Sequence, residues 1–293
     1  MGTLSATRMA TEGLRLIRGE PAFVGVLTAA YVAVWLAAAI GGLAILGPTI
    51  AQLATTTPDS AAEILSMMGR FAAPFALMLP ALLILHTMVG CAIFRAVLRP
   101  DDEGFFYFKL GGDEWRMFLA SLALVGLMFG ILLVLGGVIG AATLAGEAWA
   151  ALAIFLGTLL GLVGMTYAGV RLSLALPMTF AERQVRVLSA WSLTRGLFWP
   201  LLGGYLLAWL IAIGVGMALG IISEVISAGA SLATILTQDS SPLGLSALTP
   251  ALVAGMVVSV IGSALQTVVT SASPASAYTQ LSGKTASVAD TFA

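Results

Sequence analysis

Hydrophobic residues in this chain fall into long unbroken runs, and the polar residues gather in the gaps between them. A helix needs about 20 apolar residues to cross a hydrocarbon core of about 30 Å. Six runs reach that length, over residues 21–46, 71–94, 117–142, 148–170, 196–222 and 249–271, and none contains Asp, Glu, Lys or Arg. The pattern predicts an all-α integral membrane protein with six transmembrane helices in one membrane domain, 1–293. Residues 1–20 form a cytoplasmic amphipathic segment and 272–293 a cytoplasmic tail. The first run is about twice as long as the apolar core of a signal peptide and lacks a small-residue cleavage pattern, so it reads as a retained span.

Shorter amphipathic stretches lie between and before the runs. Residues 7–18 set Met9, Leu14, Leu16 and Ile17 against Arg8, Glu12, Arg15 and Arg18, the pattern of a helix lying on the membrane face. Ser60 and Glu63 make a capping box ahead of Ile64, Leu65, Met67 and Met68. A third interfacial helix is expected over 224–236, in the long loop before the last span.

Composition explains why the runs must face lipid. Only 9% of residues are charged and 59% are hydrophobic, where a soluble domain carries about 25% and about 45–50%. So little polar material cannot cover a water-facing surface, whereas lipid asks only that backbone groups pair internally. A net charge of −1 supplies no basic field for nucleic acid. The single cysteine, Cys91, rules out an internal disulfide and a cysteine-rich metal site.

Charge placement then sets the orientation. With six spans, twelve of the thirteen basic residues fall on one side: Arg8, Arg15, Arg18, Arg95, Arg99, Lys109, Arg116, Arg171, Arg183, Arg186, Arg195 and Lys284. Only Arg70 falls on the other. Basic loops stay in the cytoplasm, so both termini are expected there. The loop running from Arg95 to Phe118 holds nine of the chain's 27 charged residues and the aromatic run Phe105, Phe106, Tyr107, Phe108. Its plain reading is a solvated connector with rings at headgroup level. Its functional reading is a docking or headgroup-contact surface made by Arg95, Arg99, Phe105, Phe106, Tyr107, Phe108 and Arg116, with Arg171 on the same side.

Spans two, four and six end in loosely similar patterns, Arg95-Ala-Val-Leu98, Arg171-Leu-Ser-Leu174 and Tyr278-Thr-Gln-Leu281. Spans one and five are entered through Arg18-Gly19 and Arg195-Gly196, each with a proline close behind. Three repeated helical hairpins are therefore expected.

Candidate chemistry is sparse. His86, the only histidine, lies about 13 Å along the second span from Arg95. An ionisable group at that depth is a functional candidate, but no acidic partner lies in any span. Cys91 is about 140° away around the helix, which leaves a neutral, hydrogen-bonded histidine as the plain reading. Pro74 and Pro80 in the same span kink the helix, either shaping a cavity beside His86 or serving packing alone. GxxxG pairs occur at Gly126/Gly130, Gly136/Gly140, Gly157/Gly161 and Gly216/Gly220, and Gly164 extends the third pair. They suit close packing within the bundle, or an interface with a partner or a second copy. There is no phosphate-binding GxxxxGK[ST], no HExxH and no usable Ser/His/Asp set. No enzyme activity, cofactor or metal is expected.

Three stretches carry a resemblance: Glu12-Gly-Leu-Arg-Leu-Ile-Arg-Gly-Glu-Pro21, the loop Arg95-Ala-Val-Leu-Arg-Pro with Lys-Leu-Gly-Gly-Asp-Glu-Trp-Arg116, and Ser273-Pro-Ala-Ser-Ala-Tyr-Thr-Gln-Leu281. They resemble uncharacterised six-span inner-membrane proteins of alphaproteobacteria and, more distantly, the membrane domain ahead of glycerophosphodiester phosphodiesterases. The resemblance implies a bacterial inner-membrane location; the phosphodiesterase activity does not carry over. The expected role is an accessory or scaffold subunit packing against membrane lipids, another membrane protein or a second copy. The alternative is a transporter or lipid-handling protein for an apolar or amphipathic cargo.

Overall fold

The computed structural model describes residues 4–55, 66, 69, 83–100, 107, 111–143, 146–236 and 250–291. Among these there is no strand. The helices are α1 (Ala6–Gly19), α2 (Pro21–Thr55), α3 (Leu83–Leu98), α4 (Gly112–Thr143), α5 (Glu147–Leu172), α6 (Ala175–Glu182), α7 (Ser189–Leu193), α8 (Phe198–Leu236) and α9 (Pro250–Thr291).

Among the described residues, five helical stretches are long and apolar enough to cross a membrane: Pro21–Ala38, Gly112–Ala142, Trp149–Glu182, Phe198–Gly229 and Val253–Gly283. The chain is an all-helical membrane protein, with five such stretches where the sequence predicts six. The remaining predicted span, residues 71–94, lies partly outside the described residues. Its described part is α3, Leu83–Leu98, which rises about 24 Å. Pro74 and Pro80 lie outside the described residues, as do the capping box at Ser60 and Glu63 and the rings of Phe105, Phe106 and Phe108.

Two helices run well past their predicted ends. α8 has 39 residues and α9 has 42, about 58 Å and 63 Å of rise. The interfacial helix expected over 224–236 is the continuation of α8. The expected tail continues α9 through Pro274. That proline deletes one backbone bond, to Thr270 O, and the helix carries on with the loss.

Two compact units make up the fold. The first contains Met1–Glu12, Thr87–Ala208 and Ser271–Ala293. Its core is built from Cys91, Phe94, Met117, Phe180 and Ala275, and from Leu4, Met9, Val170, Leu174, Ala190, Leu201 and Ala277. Met9 lies over Gly204, where a methyl group would stand 2.7 Å from its sulfur. Gly157 and Gly161 on α5 receive Ile139 and Leu135 of α4, so this GxxxG pair is a seam inside the unit. Outward-facing Val134, Phe129, Phe155 and Leu160 lie on stretches with almost no buried residues, a surface that lipid covers at no cost.

The second unit contains Gly13–His86 and Trp209–Thr270. Gly13 of α1 packs directly on the backbone of Val268 and Val269 of α9. Phe23, Val24 and Leu27 of α2 are buried. The amphipathic face expected to lie on the membrane is therefore turned into protein, with Met9, Ala10, Gly13 and Leu16 buried and Arg8, Arg15 and Arg18 exposed.

Candidate functional site

The charged loop folds inward on itself. Asp113 and Glu114 open α4, at the helix end where negative charge is favoured. Glu114 holds the Arg95 guanidinium at 2.6 Å and accepts the Gly111 N–H at 2.9 Å. Arg95 is buried, and its other terminal nitrogen donates to the Tyr107 carbonyl. Asp113 takes Arg99 at 3.1 Å and Arg116 at 2.9 Å, with Arg183 at 4.0 Å. Arg99 also donates to the carbonyls of Phe180 and Ala181, 2.8 and 3.4 Å away, which closes the last turn of α6. Both Arg95 and Arg99 lie over the Phe180 ring, at 5.6 and 4.7 Å from its centroid. Two arginines, two carboxylates and one ring thus tie α3, α4 and α6 together.

Arg171 stands apart, at the end of α5. It donates to Tyr167 Oη at 3.1–3.2 Å and lies over the Tyr167 and Trp191 rings. This cation–π group has the make-up of a headgroup-level belt. Thr194, buried at the end of α7, shares its hydroxyl between Ala190 O and Arg171 O and pins α7 to α5.

His86 is exposed on α3. Gly126, Gly130, Gly136 and Gly140 lie on an outward surface of α4, and among the described residues no atom would meet a Cβ at Gly126, Gly130 or Gly137. Gly164 and Gly220 likewise have open space beside them. Gly216 differs. The Gln266 amide nitrogen occupies the place its Cβ would take.

That contact leads to a feature the sequence reading did not single out. Between α8 and α9 in the second unit lies an open cleft of about 320 Å³, lined by Trp209, Ala212, Ile213, Ser263, Gln266, Thr267 and Thr270. Both walls belong to membrane-spanning stretches. The hydroxyls are already committed as donors. Ser263 gives its hydrogen to Ser259 O at 3.1 Å, Thr267 to Ser263 O at 2.8 Å and Thr270 to Gln266 O at 2.9 Å. Their oxygens remain available as acceptors. Nearby, Ser259 donates to Ser223 Oγ at 2.9 Å, and Ser223 donates to the Gly255 carbonyl at 2.7 Å, which joins α8 to α9. The Gln266 carboxamide is half-buried and makes no hydrogen bond to a described residue. Gln280, ten residues on from Thr270, contrasts with it by accepting the Ser5 N–H at 2.9 Å. The spacing Ser259, Ser263, Gln266, Thr270 is one helical stripe. That spacing was the available signal.

These features define a multi-span, all-helical membrane protein with an internal ion-pair cluster and a polar cleft at membrane depth. No protein-family model, curated protein or solved structure matches the chain. Among the described residues no group of three or more His, Cys, Asp or Glu side chains could hold a metal ion.

Proposed function

We propose that the chain is a non-catalytic accessory or scaffold subunit of a bacterial inner membrane, holding another membrane protein through α4, with both termini cytoplasmic. The observation that carries this reading is the open glycine surface of α4. Gly126, Gly130 and Gly137 repeat at four and seven residues and so share one face of the helix. No described residue fills the space above them. Helices associate in lipid by close backbone approach over small residues, since lipid tails give apolar side chains no other reason to cluster. The same chemistry is already used inside the first unit, where Gly157 and Gly161 seat Ile139 and Leu135. The distribution of basic residues supports the orientation, and the resemblance to six-span inner-membrane proteins supports the location.

Gentle extraction followed by native mass spectrometry tests the proposal. Wild-type protein is expected to carry one stoichiometric protein partner. Gly130→Leu is expected to lower the partner-bound fraction about tenfold, with the chain itself still folded because the new side chain enters open space. A wild-type chain that runs as a bare monomer, or a Gly130→Leu variant that keeps its partner, refutes the reading. A dimer of identical chains would replace the hetero-partner by a second copy.

A further inference from the structure

We propose that the cleft around Gln266 binds the headgroup of an anionic, hydroxyl-bearing phospholipid, of which phosphatidylglycerol is the simplest example. The site stands whether or not α4 takes a partner. Four observations converge on it.

The first is the unused carboxamide. Gln266 brings two donors and an acceptor into a membrane-spanning stretch without a described partner. An amide left without hydrogen bonds in hydrocarbon is expensive, so such a group implies a polar occupant. The second is the state of the hydroxyls. Ser263, Thr267 and Thr270 have spent their hydrogens on the helix backbone. They can only accept, and an occupant that satisfies them must bring donors of its own. A glycerol headgroup supplies hydroxyl donors, and its phosphate and ester oxygens accept from the Gln266 amide. A headgroup without O–H or N–H, such as choline, cannot do the first.

The third is depth. Gln266 precedes Val269 by three residues, about 4.5 Å along the helix, and Val269 is where Gly13 of α1 packs. Arg18, five residues beyond Gly13 on α1, is exposed. At that level the cleft lies within about two turns of basic charge, which favours an anionic headgroup. The fourth is size and outlook. About 320 Å³ is at the small end of ligand pockets, enough for a headgroup. A helix about 10 Å across would not enter it. Trp209, Ser263 and Thr270 are exposed at its rim, so a lipid can enter from the side while its chains stay in the bilayer.

The test uses the full chain in detergent micelles doped with equal amounts of phosphatidylglycerol and phosphatidylcholine, read by native mass spectrometry. Wild-type protein is expected to retain one phosphatidylglycerol with about tenfold preference over phosphatidylcholine. Gln266→Leu is expected to abolish that preference, while its thermal midpoint without lipid stays level or rises. A glutamine with a purely structural role would instead lose stability on that change. Gly216→Ala, which evicts the amide from its seat, is expected to weaken retention about as much. Thr270→Val, at the exposed rim, is expected to weaken it several-fold, and decides the matter if Gln266→Leu does not fold. Equal retention of both lipids by wild type overturns the assignment. So does undiminished phosphatidylglycerol on the variants, or a bound protein chain, in place of lipid, whose loss tracks Gln266.

Discussion

Glu114→Ala is expected to destabilise the protein by about 3–5 kcal/mol, the range for removing one partner of a buried ion pair. The side chains of Arg95 and Glu114 are 3% and 9% exposed, so solvent hardly screens the pair. Without the carboxylate, the Arg95 guanidinium keeps the Tyr107 carbonyl and the Phe180 ring but loses the charge opposite it. Unfolding in a denaturing detergent, followed by helical circular dichroism, reads the loss directly. A midpoint within the ±0.5 kcal/mol typical of surface changes would mean that the cluster is ornamental. The double variant Arg95→Met with Glu114→Leu is expected to recover most of the stability. A buried pair exchanged for apolar residues of similar volume is often neutral, and only the half-pair is costly.

Gly13→Ala is expected to cost about 3 kcal/mol, the upper end of the usual range for overpacking. A methyl group on Gly13 falls on the Cα of Val269, with Val268 O and Val269 N both 3.1 Å away. These are backbone atoms, so no rotamer change relieves the clash and α1 must move off α9. The control lies twelve residues on. Gly25→Ala meets nothing within 4 Å on α2 and exchanges a poor helix former for the best one. It is expected to stabilise by up to about 1 kcal/mol. Opposite signs for the same chemical change, measured in the same unfolding assay, test whether α1 is docked; equal signs would show that it is not.

Apolar runs located the starts of the five crossing stretches to within five residues, because lipid imposes one demand that hydropathy measures well. Helix ends were harder. α8 and α9 continue through Ser223 and Ser273, where the sequence turns hydroxylated and looks like a loop. The Ser and Thr side chains of α9 bond to carbonyls of their own preceding turn, which keeps the helix intact without apolar content. Direction was also invisible along the charged loop. Spacing cannot say that Arg95 turns inward while Arg116 stays at the rim, since that depends on where Glu114 of the next helix arrives. Gly216 and Gly220 matched a helix-packing motif equally well. The structure sets a glutamine amide against the first and leaves the second open, a difference that lies wholly on the neighbouring helix.

The self-bonded hydroxyls of α9 bear on how the chain is made. A segment leaving the translocation channel meets lipid before it packs against its neighbours, and each polar group it carries is weighed at that moment. Ser263, Thr267 and Thr270 arrive already satisfied, within one turn of their own helix. Of the polar side chains of α9 that line the cleft, only Gln266 has no such bond within its own helix. The last helix can therefore partition into the bilayer early and alone, and its polarity becomes apparent only once α8 closes beside it.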